Sequence, residues 1–397
     1  MTGKPKIAFV SGGVPFGGST IFLLHLVQGL RALGISSEIF SFSKDNPVAA
    51  EFSAAQTPLH VADESKLIYE DRLTALYGKI AQFQPTAVFA NLGAESLEML
   101  RYLPPGVLRI AMVHEQSMNE GPPKYAEFLD GIGVVNPAWV ELQRRLCPSV
   151  PCRFLAHGIP LPAASRVRSP NADQPLRLVY FGRLSPTKGT RLFPAIVQEL
   201  HRLKVPFHWT IYGDGPDKAW LQEQFSGEVA AGHVTLGSHL TRAALFEAVR
   251  EHDVFLMASD HEGGPLTLLE AMAVGLVPVC NDTPCLVQEV VHAENGFIIP
   301  REPARYAEVL SALHLDRPRL ERMSHAARQI ISDQYGLEAM AQRYVDFLRS
   351  LVPTPATVSW PAKIKPLTIR GLRGWSRLSQ STSLGRQARR LAKKLGN

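Results

Sequence analysis

Short apolar runs alternate with longer amphipathic stretches along most of the chain, and this rhythm constrains the fold more than any other feature. KIAFV is followed by IFLLHLVQGLRALG, whose apolar residues recur at helical spacing and whose Gly34 stands where a helix C-cap belongs, ahead of SSEIFSFS. TAVFAN, VLRIAMVHE and GIGVVN continue the series as buried-strand candidates. Around CRFLAHGIPLPAASRVRSPNADQPLR the chain turns rich in Pro, Ser and Ala; the rhythm then restarts at LRLVYFGRL and runs through FHWTIYGDG, HVTLGS, DVFLMAS, LVPVCND and GFIIP. Continuously apolar strands separated by helices mean parallel sheets covered on both faces. A chain of 397 residues exceeds one ordinary core and fits two domains of roughly 150–200 residues each. The expected division is 1–165 and 166–335, then a helix over 336–351 (in GLEAMAQRYVDFLRSLV) crossing back to the first domain, and a Pro-containing linker with a basic tail over 352–397. Two such sheets place a ligand crevice between the carboxyl ends of their strands.

Several classes are excluded or disfavoured. KPKIAFVSGG is too short an apolar run for a secretory signal, and no stretch of about 18 apolar residues is present for a spanning helix. Cys147, Cys152, Cys280 and Cys285 have no C-x-x-C spacing and read as free thiols in a reducing compartment. The net charge of +6 is unevenly distributed, because residues 361–397 hold ten Lys/Arg and no acid, leaving −4 on residues 1–360. A nucleic-acid-binding core is therefore not expected.

Residues 11–20, SGGVPFGGST, have P-loop spacing with glycine where the phosphate-holding lysine should stand. The expected cations lie instead in FGRLSPTKGTRL, where Arg183 leaves the end of a strand and Lys188 follows in the loop. An arginine fork and a mobile ammonium would compensate a diphosphate in a partly dry cleft; equally, surface Arg and Lys are common anywhere. In HEGGPLTLLEAMAVG, residues 261–275, Pro265 suits the first helical turn, so a helix should begin near Leu266. Glu262 then lies in the entry loop and Glu270 one turn inside. The Gly263-Gly264 backbone permits close approach, and the helix start attracts anionic oxygens. Carboxylates accept hydrogen bonds from vicinal hydroxyls. Hydroxyls at both ends with phosphates between describe a sugar–diphosphate–nucleoside; the plainer alternative is a helix N-terminus with solvated acids.

GRLSPTKG, IYGDGP, ALFEAVREHDVFLMAS, EGGPLTLLEAMAVGLVPV and NGFIIP occur in the order and spacing of the family-four retaining glycosyltransferases, which the chain resembles over nearly its whole body. GGSTIFLLHLVQGLRALG resembles the family's first loop and helix, AMVHE its acceptor-side histidine loop, and AHGIPLP its pre-linker turn. The resemblance implies the GT-B fold: two Rossmann-like domains facing across a cleft, acceptor side first and nucleotide-sugar side second. It implies that Glu270 holds the ribose hydroxyls and that Glu262 meets donor-sugar hydroxyls beside the backbone of Gly263, Gly264, Pro265 and Leu266. It further implies that Arg183 and Lys188 neutralise the leaving diphosphate, that His114 lines the cleft, and that Gly17 and Gly18 approach the donor on closure. Where many members have an aromatic or small residue and then glycine after E-G, this chain has Gly264-Pro265, which removes a donor near the ligand. No convincing D-x-D metal motif stands out; Asp260-His261-Glu262 has the spacing but coincides with the glutamate loop, so no metal requirement and no cofactor beyond the UDP- or GDP-sugar donor are expected.

In the tail, Leu384, Ala388, Leu391 and Leu395 share one helical face among Arg386, Arg389, Arg390, Lys393 and Lys394. That pattern suits an anionic membrane surface, or a solvated or packed tail. The expectation is a cytoplasmic enzyme, peripheral at the inner face of the plasma membrane. It would transfer sugar to a glycan or lipid-linked acceptor in surface polysaccharide or lipopolysaccharide biosynthesis, with no nucleic-acid partner. A nucleotide-sugar epimerase of the same fold and a degenerate sugar-nucleotide-binding scaffold are the alternatives.

Overall fold

The computed structural model describes residues 4–14, 17–43, 49–62, 69–162, 174–238, 240, 242–283 and 289–355. The tail, Pro15, Phe16 and Cys285 lie outside the described residues. Seven strands form the first sheet: β1 (Lys6–Ser11), β2 (Ser36–Ser41), β3 (Leu59–Val61), β4 (Ala87–Leu92), β5 (Leu108–Val113), β6 (Gly131–Val134) and β7 (Cys152–Phe154). Their order is β3-β2-β1-β4-β5-β6-β7 and every pairing is parallel. The second sheet holds β8 (Leu176–Phe181), β9 (Phe207–Tyr212), β10 (Val234–Gly237), β11 (Val254–Met257), β12 (Val277–Asn281) and β13 (Phe297–Ile299). It runs β10-β9-β8-β11-β12-β13, again parallel throughout. Both sheets thus reverse strand order beside their first strand, between β1 and β4 and between β8 and β11. Loops leaving the carboxyl ends at such a reversal diverge and open a crevice.

The apolar runs become central strands for the expected reason. Ile7, Ala8, Val10, Val88, Phe89, Val254 and Phe255 are fully buried, since helices cover both faces. The first helix, Gly18–Ala32, ends as its sequence predicts: Gly34 takes φ +67, its N–H donates to Arg31 O, and Ile35 N donates to Leu30 O. β3 and β7, three residues each at or beside the sheet edges, were not among the expected strands.

The last helix, Leu337–Ser350, returns to the first domain. Tyr344 packs against Phe22 and Phe89, with ring centroids 5.8 and 5.7 Å apart. A Cβ on Gly29 of the first helix would collide with the Leu337 carbonyl, so glycine there sets how closely the two helices approach. Just before this helix the chain crosses between domains beside its first crossing, where Ile159 N donates to Tyr335 O at 2.9 Å and Ile159 bridges to Gly336.

Gly29→Ala is expected to destabilise the protein by about 1–3 kcal/mol, because overpacking outweighs the helix propensity gained. Gly78→Ala, in the helix Tyr69–Phe83 with open space around its Cα, is expected to stabilise by about 0.5–1 kcal/mol. Urea unfolding of the two variants checks the opposite signs; stabilisation by Gly29→Ala would refute the close approach.

Candidate functional site

Four loops carry the predicted residues, and each leaves the carboxyl end of a strand flanking or next to a strand-order reversal. Gly17 and Gly18 follow β1, His114 follows β5, Arg183 and Lys188 follow β8, and Glu262 follows β11. The structure brings most of them together. Gly18 opens the first helix, and a Cβ on it would lie 3.8 Å from Leu266 Cδ1, at the start of the helix Leu266–Ala273. A Cβ on Gly263 would collide with the His114 carbonyl oxygen, and one on Gly264 would sit 3.0 Å from Val135 O and 3.3 Å from His157 Nδ1. The Gly263-Gly264 backbone is therefore seated directly on the first domain. Pro265 is in an extended conformation immediately before the helix, as its place in the sequence implies. Glu270, one turn in, is buried at 2 % exposure.

The Arg183 loop is built by its neighbours. Leu184 N donates to Asp214 O at 2.8 Å and Gly182 N to Tyr212 O at 3.1 Å, so the IYGDGP turn braces it. Tyr180 Oη donates to Arg183 O at 2.8 Å. Gly189 has φ +72, and a Cβ there would collide with Ala258 O; only glycine allows the lysine turn to lie against the end of β11. Asp260 N donates to Thr187 O at 2.9 Å, joining the cation loop to the glutamate loop.

Their side chains meet in an ion pair. Lys188 Nζ donates to both Glu262 carboxylate oxygens at 2.7 Å, and Ser259 Oγ donates to Glu262 Oε1 at 2.7 Å. The Glu262 side chain is 7 % exposed and that of Lys188 32 %. Asp260 faces a different cation, Arg301 Nη1, at 2.6 Å. Arg183 is exposed and its guanidinium makes no ion pair among the described residues. The site thus holds one cation already matched and one free to receive an anion.

Sequence reasoning passed over the groups that seat the glutamate loop from the first domain. Asn136 Nδ2 donates to Glu262 O at 3.3 Å, and Trp139 Nε1 donates to Gln116 Oε1 at 3.0 Å beside the Gly263 contact. Asn136 closes GIGVVN, so its position at the carboxyl end of a strand was the available signal. His157, within the quoted AHGIPLP, stacks beside His114 with ring centroids 6.2 Å apart. His114 Nε2 lies 2.6 Å from Asn91 Oδ1. Burial holds both imidazoles neutral: His114 is pushed down to about 3, with His157 adding to the effect, and His157 to about 4.

The unfolded chain protonates these rings near 6.5, whereas the folded protein resists protonation to about 3 and about 4. Stability is therefore full above pH 6.5 and falls as pH drops below it, by about 1.4 kcal/mol per pH unit for each such histidine. His157→Phe should flatten the profile between pH 6.5 and 4.5 by that amount in urea titrations. An unchanged slope would show that the buried ring titrates normally.

With the geometry in place, comparison with known proteins adds a family context. Residues 163–330 match the family model described as glycosyl transferases group 1. WcaL of Escherichia coli strain K12, assigned to colanic acid biosynthesis as a glycosyltransferase, is 27% identical over 306 residues, covering 70% of this chain and 74% of its own. A GDP-mannose-dependent phosphatidylinositol monomannoside mannosyltransferase of Mycobacterium tuberculosis is 27% identical over 180 residues, 43% of this chain and 47% of its own. Among solved structures, Anabaena HepE in complex with UDP and glucose superposes with a TM-score of 0.70 at 17% identity, over 87% of this chain and all of that one.

Proposed function

We propose that this chain, whose residues 163–330 match the group 1 glycosyl transferases and which has the two-domain GT-B architecture, moves a sugar from a nucleotide diphosphate sugar to a hydroxyl of a glycan or lipid-linked acceptor. The reaction retains anomeric configuration and uses no metal ion or other cofactor. The acceptor belongs to a growing surface polysaccharide; WcaL is assigned to colanic acid, a relative uses GDP-mannose, and HepE was solved with UDP and glucose. Among the described residues no helix is long and apolar enough to cross a membrane. Contact with a lipid-linked acceptor would fall to the basic residues 361–397.

One observation carries the reading: Lys188, Glu262 and Ser259 form a single hydrogen-bonded unit beside the exposed Arg183, against the backbone of the opposite domain. An incoming diphosphate competes with Glu262 for Lys188 and recruits Arg183, and the released carboxylate accepts hydrogen bonds from sugar hydroxyls. Glu270 receives the ribose. In the transfer, the bond from the anomeric carbon to the phosphate oxygen breaks and one to the acceptor oxygen forms on the same face. The acceptor proton passes to the departing phosphate. Negative charge grows on that phosphate, where Arg183 and Lys188 meet it. The engagement of Asp260 by Arg301 and of Glu262 by Lys188 supports a metal-free site, since the two carboxylates face separate cations.

Thermal unfolding with UDP, GDP, ADP and CMP at equal concentration tests the donor. One diphosphate, at about 100 times its dissociation constant, should add about 2.7 kcal/mol to wild type and nothing to Glu270→Ala. Lys188→Ala should lower turnover of the matching nucleotide sugar by about 10²–10³, a chelator should leave turnover unchanged, and NMR should show a product anomer identical to the donor's. A folded wild type that no diphosphate stabilises overturns the proposal.

A further inference from the structure

A second constellation of chemistry lies at the other end of the second sheet. His201 lies in the last turn of the helix Phe193–Arg202, which returns from the carboxyl end of β8 towards the start of β9. Glu228 lies in the helix Ser226–Ala230, and His233 immediately precedes β10. In a parallel sheet this places all three at the amino-terminal strand ends, opposite the cleft. His201 Nε2 is 3.0 and 3.1 Å from the two Glu228 oxygens, and His233 Nδ1 is 2.9 Å from Oε2. The three donor atoms all lie within 4.8 Å of one another.

The cluster is held rather than accidental. His233 N donates to Glu228 O at 2.9 Å, across a turn in which Gly232 takes φ +77. The buried Phe207 ring lies 5.4 Å from the His201 ring and 5.7 Å from that of His233, forming an apolar floor beneath both. The two imidazoles meet edge to face at 5.0 Å. Neighbouring His208 turns its Nε2 to Thr235 Oγ1 at 3.1 Å and stays out of the group.

Two imidazole nitrogens and one carboxylate are a donor set for zinc and its neighbours, not for magnesium or calcium, which take oxygen ligands. Metal–ligand bonds of about 2.0–2.2 Å set tetrahedral ligand atoms about 3.3 Å apart. The His–Glu separations of 2.9–3.1 Å are already close to that value, and all three donor atoms lie within 4.8 Å of one another. The side chains are 42 %, 27 % and 43 % exposed, in chain order, which leaves a fourth position for water. We propose that His201, Glu228 and His233 form a binding site for a divalent transition metal ion of the zinc class, which ties two helix ends to the edge of the sheet. The site stands apart from the transferase cleft, and its readout is metal affinity rather than turnover.

Full-length protein stripped with a chelator should bind one equivalent of zinc at micromolar concentration by calorimetry, with magnesium failing to compete. Cobalt in its place should give d–d absorption without a thiolate charge-transfer band, which separates this site from the cysteines. The double variant His201→Gln/His233→Gln should bind about a hundredfold more weakly, and Glu228→Gln, which keeps a hydrogen-bond acceptor but loses the charge, at least about tenfold. If the double variant does not fold, Glu228→Gln decides. Absence of zinc binding at 100-fold higher concentration, unchanged affinity in the folded variants, or a thiolate band would each overturn the site.

Discussion

The glutamate loop can approach the first domain only because its residues 263 and 264 have no side chains. Backbone meets backbone there, with the His114 and Val135 carbonyls and the His157 ring on one side and Gly263-Gly264 on the other. Everything that follows in the loop is placed by that seat: Glu262 beneath Asn136, Pro265 at the helix entrance, and Leu266 against Gly18. Neither domain contains the site alone. The cations and acids are carried by the second domain, while the walls that orient them belong to the first, so assembly of the site and approach of the domains are the same event.

The chain passes between the domains twice. Its two crossings between domains run side by side, at Ile159 and at Tyr335–Gly336, and hydrogen-bond to each other. The helix Arg317–Gln334 packs on the second domain through Leu320 and Met323, and the following helix packs on the first through Tyr344. Apolar packing joins the domains beside these crossings as well: Ile159, Tyr335 and Tyr344 belong to one buried cluster with Phe22 and Phe89 of the first domain and Leu268, Leu269 and Met272 of the second.

The strands that position the site were legible because burial on both faces makes their centres continuously apolar, with charged residues only at or near the amino-terminal ends: KIAFV, LRLVYF and DVFLM could hardly be anything else. LHV and CRF were not, since three half-buried residues at an edge carry no periodicity to detect. The helix start at Leu266 was legible from Pro265, a purely local signal. The Lys188–Glu262 pair was not, although both residues were singled out. They are 74 positions apart, and sequence assigned each a role towards a ligand instead of towards the other. Asn136 and His157 were missed for a related reason: a lone polar residue after a strand gains meaning only once another domain is placed over it.

The pairing also explains why the loop needs two cations where one would match the resident acid. With Lys188 held by Glu262 at 2.7 Å, the charges at the centre of the site cancel, and the desolvation of a carboxylate with 7 % exposure is offset locally. A diphosphate arriving with about two negative charges would find nothing to bind if the cleft stopped there. Arg183, exposed and without an ion pair among the described residues, would supply the surplus charge for that first contact. In the proposed reaction, exchange of Lys188 from carboxylate to phosphate would cost little, because one anion replaces another at the ammonium, and it would free Glu262 for sugar hydroxyls. On that proposal the ion pair is a stored binding interaction, held closed by the same atoms that the donor would need open.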